Sequence, residues 1–140
     1  PARMCEMEKF LDTVTICPAQ LGQIGALWGI ENLSAWLAGE RREILARRAA
    51  IEAGFPALAA RGWKLLGCGA YFAYVEPPLA QPAEEIAKQL VTEASVLILP
   101  GSMFMPENDP SGARQFRIAF ANVDARGIEA LFARLAAFNP

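Results

Sequence analysis

The chain has 140 residues, a formal net charge of -2 and no histidine. Its length suits one domain with a sizeable core, and the near balance of charge provides no field that would hold a nucleic acid. The missing histidine excludes the commonest general base, the commonest metal ligand and every Ser-His or Cys-His nucleophile pair.

The amino-terminal part of the chain is predicted to be helical. In PARMCEMEKFLDTV, apolar residues recur at intervals of three or four positions, which indicates one helical face: Met4, Met7, Leu11 and Val14. After Pro18 comes TICPAQLGQIGALWGIENL, in which three glycines weaken a helix but permit close packing against another element. We interpret this stretch as a second helix.

A long amphipathic helix is predicted from Leu33 onward. Its apolar face consists of residues spaced seven apart: Leu37, Ile44, Ile51 and Leu58. Glutamates and arginines fill the other faces. The helix is expected to kink or end near Gly54 and Pro56, because a proline inside a helix removes a backbone hydrogen bond.

The middle of the chain predicts a strand, a helix and a second strand. WKLLGCGAYFAYVEPP is typical of one strand, stopped by Pro77 and Pro78. QPAEEIAKQLVTEAS predicts a helix that starts at Pro82 and carries Ile86, Leu90 and Val91 on one face. VLILPG predicts a short buried strand, and SMFMPENDPSGA a loop.

The stretch GARQFRIAFANVD predicts a strand over about residues 115 to 121 with an arginine on its outer side. Phe116, Ile118 and Phe120 would point to one side, and Gln115, Arg117 and Ala119 to the other. Asp124 is expected to cap a last helix whose apolar residues are Ile128, Leu131, Phe132 and Leu135. The predicted fold class is α+β, with a small antiparallel or mixed sheet of about three or four strands backed by helices.

The cysteines and the apolar runs indicate a soluble cytoplasmic protein. Cys5, Cys17 and Cys68 are odd in number and widely spaced, so they fit neither a disulfide framework nor a CxxC metal or redox motif. No metal site is expected. The longest apolar run, IGALWGI, is far shorter than the roughly 20 residues that span a bilayer, so no membrane partner is expected either.

Few residues remain as candidates for chemistry. Lys9, Lys64 and Lys88 are the only lysines that could form a Schiff base, and their positions are those of ordinary surface residues. Arg117 either solubilises the outer face of its strand or binds a ligand. The neighbouring LPGSMF loop favours a ligand, because the planar fork of arginine suits recognition of a carboxylate or phosphate.

The ordered series GAYFAYVEPP, a helix, VLILPGSMF, RQFRIAFAN and a closing helix resembles the carboxyl-terminal small domain of class I and II aminotransferases, which are fold-type-I enzymes dependent on pyridoxal 5'-phosphate (PLP). LDTVTICPAQLGQIGAL and ERREILARRAAIEAGF are similar to the segment that leads into that domain. The resemblance therefore implies that residues 1–32 lead from a large domain missing here, and that residues 33–140 form the small domain.

The resemblance also implies roles for individual residues. Arg117 would bind the α-carboxylate of the substrate, and Tyr71 and the stretch from Gly101 to Phe104 would line the substrate entrance. The Schiff-base lysine and the cofactor contacts would precede this chain, which would then contain no catalytic residue and bind no PLP by itself. The complete enzyme would be a homodimer that transfers an amino group between an amino acid and a 2-oxo acid.

A second interpretation stays open. The chain could be a non-catalytic module, either a small binding domain or the tail of an aminotransferase-like transcription regulator. A regulator would carry a DNA-binding domain upstream, whereas an enzyme would carry the lysine motif there.

Overall fold

A computed structural model describes residues 2–15, 17–106 and 108–139. Its helices and strands, in chain order, are α1 (Ala2–Thr15), α2 (Gln20–Asn32), α3 (Ser34–Ala59), β1 (Lys64–Gly69), β2 (Phe72–Glu76), α4 (Ala83–Ala94), β3 (Leu99–Pro100), β4 (Phe116–Ala119) and α5 (Ala125–Ala137). Two short 3-10 turns, Gly101–Phe104 and Pro110–Arg114, lie between β3 and β4. None of the described helices is both long and apolar enough to cross a membrane.

By its contacts the chain divides into two units, Pro1–Glu40 and Arg41–Pro140. In the first unit, no residue whose burial is described has a buried side chain. Large apolar side chains there are exposed instead: Met4, Met7, Phe10, Leu11, Val14, Leu21, Ile24, Leu27, Trp28, Ile30, Trp36 and Leu37. Exposed apolar side chains in this number are typical of a surface that takes part in an interaction.

The isolated 140-residue chain is therefore expected to self-associate through its first unit, because burial of apolar surface is favourable by roughly 25 cal/mol per Å². Sedimentation velocity over a range of concentrations measures this. Replacing Leu27 and Trp28 together with glutamine should shift the chain toward monomer. A chain that stays monomeric at high concentration, with Trp28 open to a soluble quencher, would contradict the expectation.

The second unit is built on a four-stranded antiparallel sheet in the order β1-β2-β4-β3. β2 pairs with β4 so that Tyr74 faces Arg117 and Val75 faces Phe116. β3 pairs with the other side of β4, and there Leu99 faces Arg117. This confirms the predicted α+β class with a small sheet, and the sheet is purely antiparallel.

Side chains alternate across the sheet, as the pleat of a strand requires. One side, the core face, carries Ala73, Val75, Phe116 and Ile118, all buried. Apolar residues of α3, α4 and α5 complete the core on that side: Ile51, Phe55, Leu58, Ala83, Ile86, Leu90, Ile128, Phe132 and Leu135. The other side, the outer face, carries Gly67, Phe72, Tyr74, Leu99 and Arg117. The predicted orientation of Phe116, Ile118 and Arg117 is confirmed.

The region predicted as one strand is a hairpin of two strands, β1 and β2. The chain reverses at Ala70 and Tyr71, between paired Gly69 and Phe72. Ala70 takes a positive φ of 48°, which an alanine seldom adopts, so the usual sequence signal of a tight turn is missing. The prediction of a single strand was wrong for this reason.

The sequence predicted that α3 would kink or end near Gly54 and Pro56. The helix continues to Ala59 with Pro56 inside it, and the amide of Ala60 still donates to the carbonyl of Pro56. Burial of Ile51, Phe55 and Leu58 along this half supports the helix in spite of the proline. By contrast Leu37, predicted on the same apolar face, is exposed.

Two helices of the second unit largely follow their predictions. In α4, Ile86 and Leu90 are buried, but Val91 is exposed, so its predicted place on the apolar face was wrong. In α5, the Asp124 carboxylate accepts a hydrogen bond of 2.7 Å from the Gly127 amide, which confirms the predicted cap. Such a cap satisfies an amide that the helix itself leaves unpaired.

An ion pair joins the far ends of the hairpin. Lys64 and Glu76 face each other in register, and the Lys64 ammonium donates to the Glu76 carboxylate over 2.7 Å. This hydrogen bond lowers the pKa of the Glu76 carboxyl. A lowered pKa means that the pair stabilises the fold above the ordinary pKa of a glutamate, and that the contribution disappears as the pH falls through the lower, folded-state pKa.

In a Glu76→Gln variant, the free energy of unfolding is accordingly expected to fall less steeply as the pH is lowered. At neutral pH it should change only slightly, as is usual for surface ion pairs. Urea unfolding at a series of pH values measures both effects. Glu129→Gln, an equal charge change at an exposed position of α5, is the control. The same acid-side slope in the Glu76 variant and in the unsubstituted chain would show that the pair contributes nothing.

Candidate site around Arg117

Arg117 lies at the centre of the outer face. Its strand, β4, runs between β2 and β3, so that Tyr74 and Leu99 flank the arginine on either side. The rest of this face is shallow, because Gly67 and Gly69 of β1 present no side chain and a methyl group at either would meet nothing within 4 Å. The sheet thus presents one half-buried cation on a smooth apolar surface.

Two aromatic rings flank the guanidinium of Arg117. Its central carbon lies 4.2 Å from the centre of the Phe72 ring and 3.7 Å from the centre of the Phe104 ring. Phe72 and Phe104 do not form a ring pair with each other; the aromatic pair among the described residues is Phe55 with Phe132. Both Phe72 and Phe104 contact the guanidinium instead. Stacking on aromatic faces suits a guanidinium, which is planar and weakly hydrated.

The arginine has no counter-ion within residues 2–15, 17–106 and 108–139. The ion pairs found there join Lys9 with Glu6, Arg48 with Glu52 and Lys64 with Glu76. The Arg117 Nε is buried without a hydrogen-bond partner, and so is the hydroxyl of Tyr74 across the strand. A buried polar group left without a partner costs about 1–3 kcal/mol, more when it is charged. Such an arrangement indicates that something outside the described residues completes the site.

A cleft of about 500 Å³ adjoins Arg117 at the edge of the sheet, between residues 95–99, β4 and α5. Its polar lining comes from Arg117, Asn122 and Arg134 together with Ser95, and no acidic residue is among the described lining residues. The Arg134 guanidinium donates to the Ser95 carbonyl. The surroundings of Arg117 on this side are therefore positive, which favours an anionic ligand.

Arg114 is placed differently from Arg117, although only three positions separate them. It ends the second 3-10 turn, and its guanidinium donates to the Leu79 carbonyl over 3.1 Å. That bond ties the turn to the segment before α4. Arg114 therefore has a structural partner within the chain, whereas Arg117 has none among the described residues.

The loop that carries Phe104 is fixed by two buried glycines. Gly101 and Gly112 bring the two 3-10 turns so close that a methyl group on Gly112 would lie 2.8 Å from backbone atoms of Gly101 and Ser102. The Gly101 amide also donates to the Gln115 carbonyl, and the Ser102 hydroxyl donates to the Glu84 carboxylate of α4 over 2.8 Å. Phe104 is thus held at the guanidinium from several directions.

Gly112→Ala is expected to destabilise the second unit by about 1–3 kcal/mol, because the added methyl group would collide with backbone that cannot move cheaply. It should also displace Phe104 from Arg117. Urea unfolding measures the first effect. Gly67→Ala is the matched control, since its methyl group would enter open space, and it should cost nothing. Equal stability of the two variants would contradict the close approach of the turns.

The remaining residues that the sequence analysis named, Tyr71 and Gly101, are not among the groups that contact the Arg117 guanidinium. Tyr71 lies in the hairpin turn with an exposed ring, and its carbonyl accepts from the Phe120 amide. Gly101 is buried and supports the loop. Of the named residues, Arg117 and Phe104 are therefore the two that contact each other. Phe72 was missed because the hairpin was missed; with the turn at Ala70, alternation would have placed it diagonally across from Arg117.

Within the described residues, groups suited to covalent or metal chemistry are few. No cluster of Cys, Asp and Glu there could hold a metal ion. Burial raises the pKa of the Cys68 thiol, which keeps it protonated and weakly nucleophilic. Lys9 and Lys64 are in ion pairs, and Lys88 is exposed on α4. The chemistry that the site around Arg117 favours is the binding of an anion.

The family model of class I and II aminotransferases matches residues 6–135. The chain belongs to this family, whose members are PLP-dependent transferases. No curated protein matches the chain.

Parts of several solved aminotransferases have the same fold as this chain. The kynurenine aminotransferase of Pyrococcus horikoshii superposes with a TM-score of 0.75 over 97% of this chain and 34% of its own, at 22% identity. The α-aminoadipate aminotransferase of Thermus thermophilus, solved with N-(5'-phosphopyridoxyl)-L-leucine, gives 0.71 over 97% and 35%, at 21% identity. An aminotransferase from Staphylococcus aureus gives 0.65 over 79% and 28%, at 26% identity. The chain spans about a third of the length of these structures.

Proposed function

We propose that this chain is the carboxyl-terminal part of a PLP-dependent aminotransferase and that Arg117 binds the α-carboxylate of its substrate. The reaction transfers an amino group between an amino acid and a 2-oxo acid. Both substrates present the same carboxylate, so one arginine serves both halves of the reaction. Tyr71 and the stretch from Gly101 to Phe104 would line the substrate entrance.

The observation that carries this proposal is that the Arg117 guanidinium has no counter-ion among the residues that the structure describes. A charge held half-buried between rings, with its Nε buried and unpartnered, is unfavourable unless a ligand compensates it. A carboxylate does so with two parallel charge-assisted hydrogen bonds. The outer face and the adjoining cleft contribute no competing acid among the described residues.

The described residues do not fit the cofactor itself. A PLP enzyme needs a lysine for the Schiff base and groups that hold the phosphate and the ring. Two of the three lysines are in ion pairs, and the third is exposed on α4. We therefore assign to this chain the binding of substrate and not the chemistry of PLP, which a preceding large domain would supply.

The remaining assignments follow from the family. Residues 1–32 would lead from the large domain, and residues 33–140 would form the small domain. The exposed apolar side chains of the first unit support a covering body such as the large domain. The complete enzyme would be a homodimer in the cytoplasm, where the unpaired Cys5, Cys17 and Cys68 suit a reducing environment.

The alternative is a non-catalytic aminotransferase-like module, such as the tail of a transcription regulator. The gene upstream of this chain distinguishes the two. A Ser-x-x-Lys or Ser-Lys motif there, followed by Gly-x-Arg, supports the enzyme. A winged-helix segment supports the regulator and would contradict the proposal.

The assignment of binding without cofactor chemistry has its own test. The 140-residue chain is incubated with PLP, reduced with borohydride and mapped by peptide mass analysis. No single lysine should be modified stoichiometrically, and no transamination should be detected. Specific labelling of Lys9, Lys64 or Lys88, accompanied by turnover, would contradict the assignment. A Lys88→Arg variant serves as the control for adventitious labelling of an exposed amine.

A further inference from the structure

We propose that Phe72 and Phe104 are positioning residues, which hold the Arg117 guanidinium in the orientation that receives a carboxylate. This inference rests on the proposed function, in which that guanidinium binds the substrate. It goes further because it assigns the orientation of the arginine to two aromatic side chains that do not themselves need to contact the reacting atoms.

An arginine side chain has several rotatable bonds and loses much conformational entropy when it is fixed. Hydrogen bonds usually fix it, as the bond to the Leu79 carbonyl does for Arg114. Within the described residues Arg117 has no such bond at its buried Nε. Packing must therefore set its orientation, and the groups in position to do so are the rings at 4.2 Å and 3.7 Å.

The two rings come from separate parts of the fold, and both parts are held firmly. Phe72 is fixed by strand pairing, since it faces Gly69 on one side and Ala119 on the other. Phe104 is fixed by the turn whose Gly101 abuts Gly112. A guanidinium between two such supports keeps its plane without an acid, and an acid would compete with the substrate for the same hydrogen bonds.

The geometry also selects which edge of the guanidinium meets the ligand. The Nε edge is buried, and the rings occupy the space beside the central carbon. The two terminal nitrogens are left for the carboxylate, and their spacing matches its two oxygens. Pre-organisation of this kind improves binding because less side-chain freedom is lost when the ligand arrives.

The test uses the isotope-labelled 140-residue chain and NMR of arginine Nε–Hε groups, with Arg117→Lys to identify the Arg117 signal. Ring currents should shift that signal away from the position of a solvated arginine. Phe72→Leu and Phe104→Leu keep an apolar side chain but lose the ring, so each should return the signal toward the solvated position. Phe104→Tyr keeps the ring and should preserve the shift. Met103→Leu, at the exposed neighbour of Phe104, should change nothing.

The second readout is the affinity for propionate, a carboxylate without an amino group, followed by the same signal. Each leucine variant should weaken it by about threefold to tenfold, the loss expected when a side chain is no longer pre-organised, and Phe104→Tyr should restore it. Phe72 and Phe104 are partly exposed, so thermal midpoints should stay nearly unchanged in every variant.

The positioning role would be overturned if neither leucine variant changes the chemical shift of Arg117 or the affinity for propionate, even if propionate binds. If propionate fails to bind the unsubstituted chain, the proposed function is contradicted instead. The chemical shift of the Arg117 signal then decides the positioning role by itself. A shift equal to that of a solvated arginine in the unsubstituted chain would overturn the positioning role.

Discussion

Phe116→Ala is expected to destabilise the second unit by about 3–5 kcal/mol, the usual cost of removing a buried phenylalanine and leaving a cavity. Phe116 is fully buried and faces Val75 on one neighbouring strand and Pro100 on the other. Its loss therefore weakens the pairing of three strands as well as the core. Because a domain of this size is stable by only about 5–15 kcal/mol, much of the total would be lost.

Phe72→Ala is the matched control for that substitution. Phe72 lies on the outer face of the same sheet and is 36% exposed, so its truncation should cost much less stability than that of Phe116. Urea unfolding followed by circular dichroism measures both variants. Equal losses would show that the outer face is covered as deeply as the core face, and would contradict the two-faced sheet.

Arg117→Ala is expected to have the largest effect on function. In the complete aminotransferase proposed above, the substitution should lower kcat/KM for the amino acid. The expected loss of transition-state stabilisation is about 3–5 kcal/mol, the range found when one partner of a buried charge pair is removed. Arg117→Lys should lose less. Lysine keeps the charge but offers no planar fork, so the substrate that still binds is misoriented.

Steady-state kinetics with both the amino acid and the 2-oxo acid measures this series. The losses should be similar for the two substrates, since both present the same carboxylate. Binding of the cofactor, followed by its absorption, should barely change. An alanine variant that keeps full activity would show that the substrate carboxylate is bound elsewhere.

The strand of Arg117 could be predicted from the sequence because its pattern has a single physical interpretation. In FRIAF every second residue is large and apolar, and a pleated strand places those residues on one face. The opposite position of Arg117 follows directly.

The aromatic surroundings of Arg117 could not be predicted, because they depend on two features without a local signal. The hairpin turns at Ala70, which adopts a positive φ that sequence propensity assigns to other residues. Phe104 reaches the guanidinium through a loop whose shape depends on the contact of Gly101 with Gly112, eleven positions apart along the chain. Both are tertiary effects that only the folded chain displays.

The extension of α3 past Pro56 to Ala59 has a related cause. A proline inside a helix is unfavourable in isolation, by about 3 kcal/mol. Phe55, directly before Pro56, and Leu58, two positions after it, are buried in the core, and their burial outweighs the local cost. Helix propensity is a weak guide where tertiary packing of this strength acts on the same residues.

The most direct test of the role of Arg117 compares half-reaction rates of the complete protein with an amino acid and with the corresponding amine that lacks the carboxylate. For the unsubstituted protein and for Arg114→Ala, the amino acid should react much faster than the amine. For Arg117→Ala this preference should collapse, because the amino-acid rate falls while the poor rate of the amine stays nearly constant. A preference that survives in Arg117→Ala and collapses in Arg114→Ala would contradict the account, and would place the carboxylate on the other arginine.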